Sequence, residues 1–173
     1  MKNLKIKNRH RGFSLLETTV ATAILVAAVI GPLTLASSSI RSSSQAKNNL
    51  VAASLAQEGM ELMRNYRAKN VFEGNSWIAG MGSCSSPAGC QIDATILEIA
   101  ACGAPCSNLN LNQNSGLYSY DTVALPTIVP TIFIRTINIE TVNTTEIKIK
   151  VSVAWQELFG LQKFTLEEHL LDW

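Results

Sequence analysis

Histidine is scarce in this chain, with two among 173 residues. His10 lies in a basic stretch at the N-terminus, and His169 lies close to the C-terminus. A lone histidine in a terminal strand is more often a surface residue than a general base. The sequence also lacks a phosphate-binding glycine loop and a serine in a nucleophile elbow. Because no acid, base and nucleophile combine, we expect a protein that is not an enzyme and needs no cofactor.

Acidic residues are absent from the first eleven positions, which carry five cations. A nucleic-acid-binding arm is one interpretation, but cations directly before a long apolar run are more typical of a membrane-topology signal. Without this stretch the chain has 9 cations against 13 acids, a net charge of minus 4. That balance argues against a nucleic-acid partner bound by bulk charge.

Charge is nearly absent from the next segment, an apolar run from Phe13 to Ala36. As a helix, these 24 residues would extend about 36 Å, which exceeds the roughly 30 Å of a bilayer's hydrocarbon core. We predict a membrane-spanning helix over residues 13–36. Glu17 interrupts the run, and an acid there costs on the order of 3 kcal/mol near the bilayer centre, less toward its edge. Glu17 should therefore have a partner.

Gly12 separates the last leader cation from the apolar run. Glycine lets a protease approach the backbone closely. Cleavage after Gly12 would give Phe13 a cationic amine, one helical turn from Glu17 of the same chain or beside Glu17 of an adjacent chain. An ion pair in lipid is screened little, so this attraction would be strong.

The segment Arg11 to Glu17, Arg-Gly-Phe-Ser-Leu-Leu-Glu, resembles the class III signal of type IV prepilins and type II secretion pseudopilins. The resemblance implies a leader peptide over residues 1–12, cleavage between Gly12 and Phe13 by a prepilin peptidase, and N-methylation of Phe13. It also implies that Glu17 acts in assembly by pairing with the terminus of a neighbouring subunit.

The resemblance further implies a structural subunit of a pilus (fimbrium) or pseudopilus. Its partners would be the peptidase, other pilin or pseudopilin subunits, an inner-membrane assembly platform and membrane lipid. The chain would cross the inner membrane once, with its C-terminal domain outside, before entering a filament. Leu55 to Glu61 and Val151 to Trp155 are similar to segments of pilus-modification proteins, which favours a minor subunit. The alternatives are a filament-tip binding module and a pseudopilin of secretion or DNA uptake.

Two other interpretations compete with this one. An ordinary secretory signal peptide would be cut after Ala36, and a plain membrane anchor would not be cut at all. Glu17 and the length of the run argue against both, since secretory apolar regions are usually about 7 to 15 residues long and avoid charge. A mature chain beginning at Phe13, Ser37 or Met1 would distinguish the three.

A continuation of the helix is predicted over residues 37–70. The serine-rich run after Ala36 contains no glycine or proline, and apolar residues then recur at spacings of three and four: Ala52, Leu55, Ala56, Gly59, Leu62, Met63 and Tyr66. Pro32 predicts a kink or an unwound turn from Ala28 to Pro32. Glu58 and Glu61 could form an acid/base pair, but a solvated helix face with Arg64 is the favoured interpretation.

Residues 71–116 are rich in glycine and proline and are predicted to be loop, with a short strand possible from Ala94 to Ile99. All four cysteines lie there: Cys84, Cys90, Cys102 and Cys106. Outside the cytoplasm they would form two disulfides, of which Cys84 to Cys90 and Cys102 to Cys106 are the shortest closures of three possible connectivities. A four-thiolate zinc site remains an alternative, although the first spacing is wider than usual, and no other metal site is expected.

An antiparallel meander is predicted for the last third. Strands are expected over residues 117–129, 132–142, 147–156 and 161–171, with turns at residues 143–145 and at Gly160. The shift in apolar parity around Arg135 and Thr136 predicts a bulge. The predicted fold is α+β, with a globular domain over residues 71–173 whose sheet packs on the second half of the long helix.

Overall fold

A computed structural model describes residues 14–103, 105–121, 126–158 and 160–172. A 58-residue helix, α1 (Leu15–Phe72), precedes an antiparallel sheet, which confirms the predicted α+β fold. A 3-10 helix (Gly82–Ser85) follows α1, and the strands are β1 (Cys90–Ile92), β2 (Ile99–Ala101), β3 (Asn108–Asn112), β4 (Tyr118–Ser119), β5 (Ile128–Asn143), β6 (Glu146–Glu157) and β7 (Gly160–Leu171).

The chain divides into two compact units, residues 1–46 and 47–173. The described part of the first unit is helical from Leu15 onward. The second unit contains the end of α1, the cysteine-rich region and the whole sheet. The core of this second unit is built from one face of the helix and the inward side chains of the sheet.

Helix α1 is continuous through Pro32 and through the serine-rich run, so the expected unwound turn is absent. Hydroxyl groups supply extra hydrogen bonds on both sides of the proline's missing N–H. Thr34 Oγ1 donates to the Gly31 carbonyl at 2.7 Å, and Ser37 Oγ donates to the Leu33 carbonyl at 2.9 Å. The carbonyl that Pro32 leaves without an N–H donor is that of Ala28, four residues earlier, and these hydroxyl groups bond other carbonyls.

The helical periodicity beyond residue 50 is confirmed by burial. The buried residues of α1 are Ala52, Leu55, Ala56, Gly59, Met60, Met63 and Asn70. Leu62 and Tyr66 pack partly buried against them. The helix ends at Phe72, two residues later than predicted, because Gly74 adopts the left-handed conformation, with a φ of +75°, that ends many helices. The loop that follows is held by Asn70. Its side-chain amide donates to the Ala79 carbonyl at 2.8 Å.

Strand β5 is central in the sheet. Ile137 pairs with Cys90 of β1 on one side and with Val151 of β6 on the other. Strand β3 lies along the same side of β5 as β1, nearer to the start of β5, because β6 occupies the opposite side. Strands β2, β4 and β7 flank β1, β3 and β6, respectively.

Three details of the strand prediction are wrong. Residues 94–98 form the turn between β1 and β2, because the Asp93 carboxylate accepts a hydrogen bond from the Thr95 N–H at 2.7 Å. The expected strand over residues 117–129 is the two-residue β4 and the start of β5, with residues 122–125 outside the described chain. The predicted break between residues 129 and 132 does not occur, since β5 runs through Pro130. The pairing of β5 with β6 begins only at Phe133, so the missing N–H of Pro130 is tolerated.

The predicted bulge is not at Arg135 and Thr136. The irregularity in β5 lies earlier, between Pro130 and Ile134, where the pairing with β3 shifts register. The register between β5 and β6 runs without interruption from Phe133 to Thr141. Arg135 keeps its inward position, and its side chain is fully buried. Because Arg135 is charged but buried, the sequence looked as if the inward and outward positions of the strand had exchanged, although they do not.

The cysteines form the disulfides Cys84–Cys90 and Cys102–Cys106, the two shortest closures. Cys84 and Cys90 are fully buried. Gly89, next to them, has a φ of +74°, and a Cβ there would lie 2.7 Å from the Ile137 carbonyl oxygen. The first disulfide therefore holds the loop directly against the central strand.

Candidate functional site

Glu17 lies in the first turn of α1, and its side chain is exposed. The partial positive charge at a helix N-terminus stabilises an acid at this place. Gly12 and Phe13, the predicted processing residues, lie outside the described part of the chain. Of the predicted assembly site, the structure therefore describes the carboxylate alone.

The helix surface around Glu17 is apolar and exposed. Among the described residues, α1 is the one helix long and apolar enough to cross a membrane, and none of its apolar window is buried. The exposed side chains include Leu15, Leu16, Val20, Ile24 and Leu25. An exposed surface of this kind requires lipid or another protein to cover it.

The polar residues near Glu17 are satisfied within the helix. The hydroxyl groups of Thr18 and Thr19 each donate to a backbone carbonyl three residues earlier, at 2.9 Å. Thr22 donates to the Thr18 and Thr19 carbonyls at 3.0 Å. Hydroxyl groups bonded in this way are tolerated in hydrocarbon.

Glu17 differs from these threonines. Within the described residues its carboxylate makes no ion pair and no side-chain hydrogen bond. A single unpaired acid on an otherwise self-satisfied apolar helix can accept one cation from outside that helix. The chemistry that the site offers is therefore the binding of one positively charged group.

A second polar cluster, centred on Arg135, lies inside the second unit. Arg135 Nη1 is 3.0 Å from Glu58 Oε2, and Arg135 Nη2 donates to the Ile92 carbonyl at 2.9 Å. Nη1 also donates to the Leu55 carbonyl at 3.3 Å. One guanidinium thereby connects α1, β1 and β5. The cluster is structural, because the fully buried guanidinium joins two backbone carbonyls and the partly exposed carboxylate of Glu58.

Glu58 therefore does not belong to a purely solvated helix face, as the sequence had indicated, and it does not pair with Glu61. Glu61 is the exposed residue, 3.0 Å from Arg64. Arg64 also reaches across to β7, where Nη2 lies 2.6 Å from Glu168 Oε2. The hydrogen bonds that Arg64 donates to Glu168 and, to a smaller extent, to Glu61 raise the pKa of Arg64 above its usual value.

A cavity of about 460 Å³ opens beside the turn between β1 and β2, lined in part by Asp93, Glu98 and Tyr120. Burial of Asp93 opposes its ionisation, but hydrogen bonds from the Thr95 side chain and from backbone N–H groups outweigh it and lower the pKa of Asp93. Burial raises the pKa of Tyr120, and the nearby Arg135 opposes that rise. The Asp93 carboxylate stays ionised and is occupied in holding the turn.

His169 lies on β7 and is largely exposed, with Nδ1 2.7 Å from Glu146 Oε1. Within the described residues, the side-chain partner of His169 is Glu146, and no serine, cysteine or threonine hydroxyl or thiol bonds to its ring. Among the described residues, no group of three or more histidine, cysteine or acidic side chains could hold a metal ion.

Sequence reasoning did not identify the cluster around Arg135 or the need for Gly59. A Cβ on Gly59 would lie 3.0 Å from both Arg135 Cδ and Val151 Cγ1, so the glycine permits the helix to approach the sheet. The available signals were a lone cation in an isoleucine-rich strand and a glycine on the apolar stripe of the helix.

Comparison of the chain with family models, with curated proteins and with solved structures finds no match.

Proposed function

We propose that this chain is a minor subunit of a type IV pilus or of a related pseudopilus. The observation that carries the proposal is Glu17, which is exposed in the first turn of an apolar helix, has no ion pair among the described residues and lies five positions after Gly12. The α+β fold is compatible with a pilin-like domain outside the membrane. A plain anchor has no use for an acid at this position, because it costs free energy in lipid.

Processing supplies the partner in this mechanism. A prepilin peptidase cuts after Gly12, and the amine of Phe13 is methylated and keeps its positive charge. Glu17 of an incoming chain then pairs with the terminus of a chain already in the filament. An unpaired carboxylate in an apolar bundle is costly, so the ion pair selects one axial register among many possible packings of apolar helices.

The proposed location follows from the same features. The basic first residues stay on the cytoplasmic side by the positive-inside tendency, and the second unit lies outside the cytoplasm. Two disulfides in that unit fit an oxidising compartment. From the membrane the mature chain passes into a filament through the assembly platform.

Substitution of Glu17 tests the proposal. We expect Glu17→Ala to insert in the membrane and to be cleaved normally, but to enter filaments at a strongly reduced level. Thr22→Val is the matched control, since it removes a polar group that is already satisfied within the helix. Normal incorporation of Glu17→Ala, measured by quantitative blotting of sheared filaments, would refute the role in register.

A second candidate function is a binding module at the filament tip. The cavity beside Asp93 and Glu98 favours it, because it lies next to the disulfide-held loops. Deleting residues 83–107 would remove core residues such as Ile92, so point variants are the better test. Loss of adhesion or transport in Glu98→Gln filaments of normal number would support the binding function, and unchanged activity would contradict it.

A further inference from the structure

An open apolar groove lies in the second unit between α1 and the turn that joins β3 and β4. Leu50 and Val51 form one wall, Leu117 and Tyr118 form the other, and the volume is about 400 Å³. Leu50 is 71% exposed and Leu117 is 52% exposed. The groove is large enough to receive an aliphatic side chain. Covering its exposed leucines removes apolar surface from water, which is favourable.

An aliphatic side chain projects from the opposite edge of the sheet. Leu158, in the hairpin between β6 and β7, is 83% exposed. Pairing runs in the order β4, β3, β5, β6, β7, so the groove beside β4 and the hairpin at β7 lie at the two edges. One chain therefore carries a projecting group on one flank and a receptive surface on the other.

The two surfaces lie at the same level along α1. Glu157 Oε1 accepts hydrogen bonds from Asn48 Nδ2 at 3.2 Å and from Trp155 Nε1 at 2.8 Å, which fixes the hairpin beside Asn48. Leu50 and Val51 follow Asn48 by two and three residues, about 3 to 5 Å along the helix axis. A neighbour placed sideways, with its helix in the same direction, brings Leu158 to the groove.

We propose that Leu158 of one copy inserts into the groove of the next copy. The contact is heterologous, since two different surfaces meet, and such contacts repeat from copy to copy without closing as a dimer. Parallel helices are also what chains anchored in one membrane require. The inference rests on the proposed function for this setting and specifies the surfaces that the subunits use.

Cysteine cross-linking of the full-length chain tests the contact, with the chain produced in excess in its membrane so that copies of this minor subunit are neighbours. All four natural cysteines are in disulfides, so each introduced cysteine adds one free thiol. We expect the double variant Leu158→Cys/Leu117→Cys to give a ladder of dimers, trimers and larger species after mild oxidation. The two single variants expressed together should stop at dimers, because each chain then has one reactive flank.

The control is Val142→Cys combined with Leu117→Cys. Val142 is 50% exposed but lies near the other end of the sheet, at the turn between β5 and β6. An equal ladder from this pair, or no ladder from the first pair, would overturn the inference. If the first pair gives no ladder while the mature chain begins at Phe13 and enters filaments, the contact is refuted and the proposed function stands.

A charge substitution gives an independent measurement. Leu158→Asp would place a carboxylate in the apolar groove, at a free-energy cost that disfavours the contact. Capture of untagged copies by a tagged copy should fall at least about fivefold, whereas Leu158→Met should keep it near the wild-type level. Equal capture by both variants would contradict the contact.

Discussion

The guanidinium of Arg135 lies 3.0 Å from the carboxylate of Glu58, and the Arg135 side chain is fully buried. These residues are 77 positions apart in the chain, so the pair fastens the long helix to the central strand. Among the described residues Arg135 Nε has no hydrogen-bond partner, so burial of this cation is only partly compensated there. The remaining partners are therefore important for stability.

Removing either member of this pair should destabilise the second unit. We expect Arg135→Ala to lower the free energy of unfolding by roughly 3 to 5 kcal/mol, because it leaves a cavity and buried acceptors without donors. Glu58→Ala should act in the same direction and Glu61→Ala by less than about 0.5 kcal/mol, since Glu61 is exposed. Urea unfolding followed by tryptophan fluorescence measures all three. Similar values for Glu58→Ala and Glu61→Ala would contradict the structural role of the pair.

Gly59 should not tolerate a side chain. In an open helical position, replacing glycine by alanine stabilises by up to about 1 kcal/mol. At Gly59 the new Cβ meets Arg135 and Val151 at 3.0 Å, and Arg135 is held by three acceptors. We expect Gly59→Ala to destabilise by about 1 to 3 kcal/mol through overpacking. Gly82→Ala is the control, since a Cβ there meets nothing within 4 Å; if Gly59→Ala raised the unfolding midpoint, the close approach would be disproved.

The two disulfides should differ in importance. Their closed loops are similarly short, so loop entropy predicts about 2 kcal/mol for each. Cys84 and Cys90 are also fully buried in the core, whereas Cys102 is partly exposed. We therefore expect Cys84→Ser/Cys90→Ser to destabilise more than Cys102→Ser/Cys106→Ser, because it adds buried polar groups. Thermal unfolding of the two double variants compares them directly, and the reverse order would be inconsistent with this core.

Asp93 should make stability depend on acidic pH. Its pKa is lowered in the folded chain, so the folded state binds fewer protons than the unfolded state as the pH approaches that value. Its contribution is present above the unfolded pKa of about 3.9 and is lost as the pH falls through the folded value. The difference in unfolding free energy between wild type and Asp93→Asn should therefore be constant from about pH 5 to 7 and shrink below about pH 4. If this difference in unfolding free energy grew as the pH fell, the lowered pKa of Asp93 would be contradicted.

Periodicity predicted the elements that depend on local pattern. The helix and the pair β6 and β7 have regular apolar spacing, and the turns at residues 143–145 and Gly160 have turn-forming residues, so they were predicted closely. Strand β3 was missed because it alternates leucine with asparagine, a residue depleted in strands. The turn after β1 depends on side-chain bonds of Asp93, which apolar spacing does not reveal.

Of the two polar sites, one could be predicted from the sequence and the other could not. Glu17 could be recognised from the sequence alone, because an acidic residue inside a long apolar run is unusual. The pair of Arg135 and Glu58 could not, since it depends on how β5 and α1 meet in space. A lone arginine in an alternating strand is equally compatible with a bulge until the register is known.

The intact mass of the mature protein, purified from its native membrane or filament, tests the central claim most directly. The account predicts a chain that begins at Phe13, carries one added methyl group on its terminal amine and retains two disulfides. A chain that begins at Met1 would contradict it, because Glu17 would then have no ammonium group at the base of its own helix or of a neighbour's. A chain that begins at Ser37 would also contradict it, because Glu17 would have been removed.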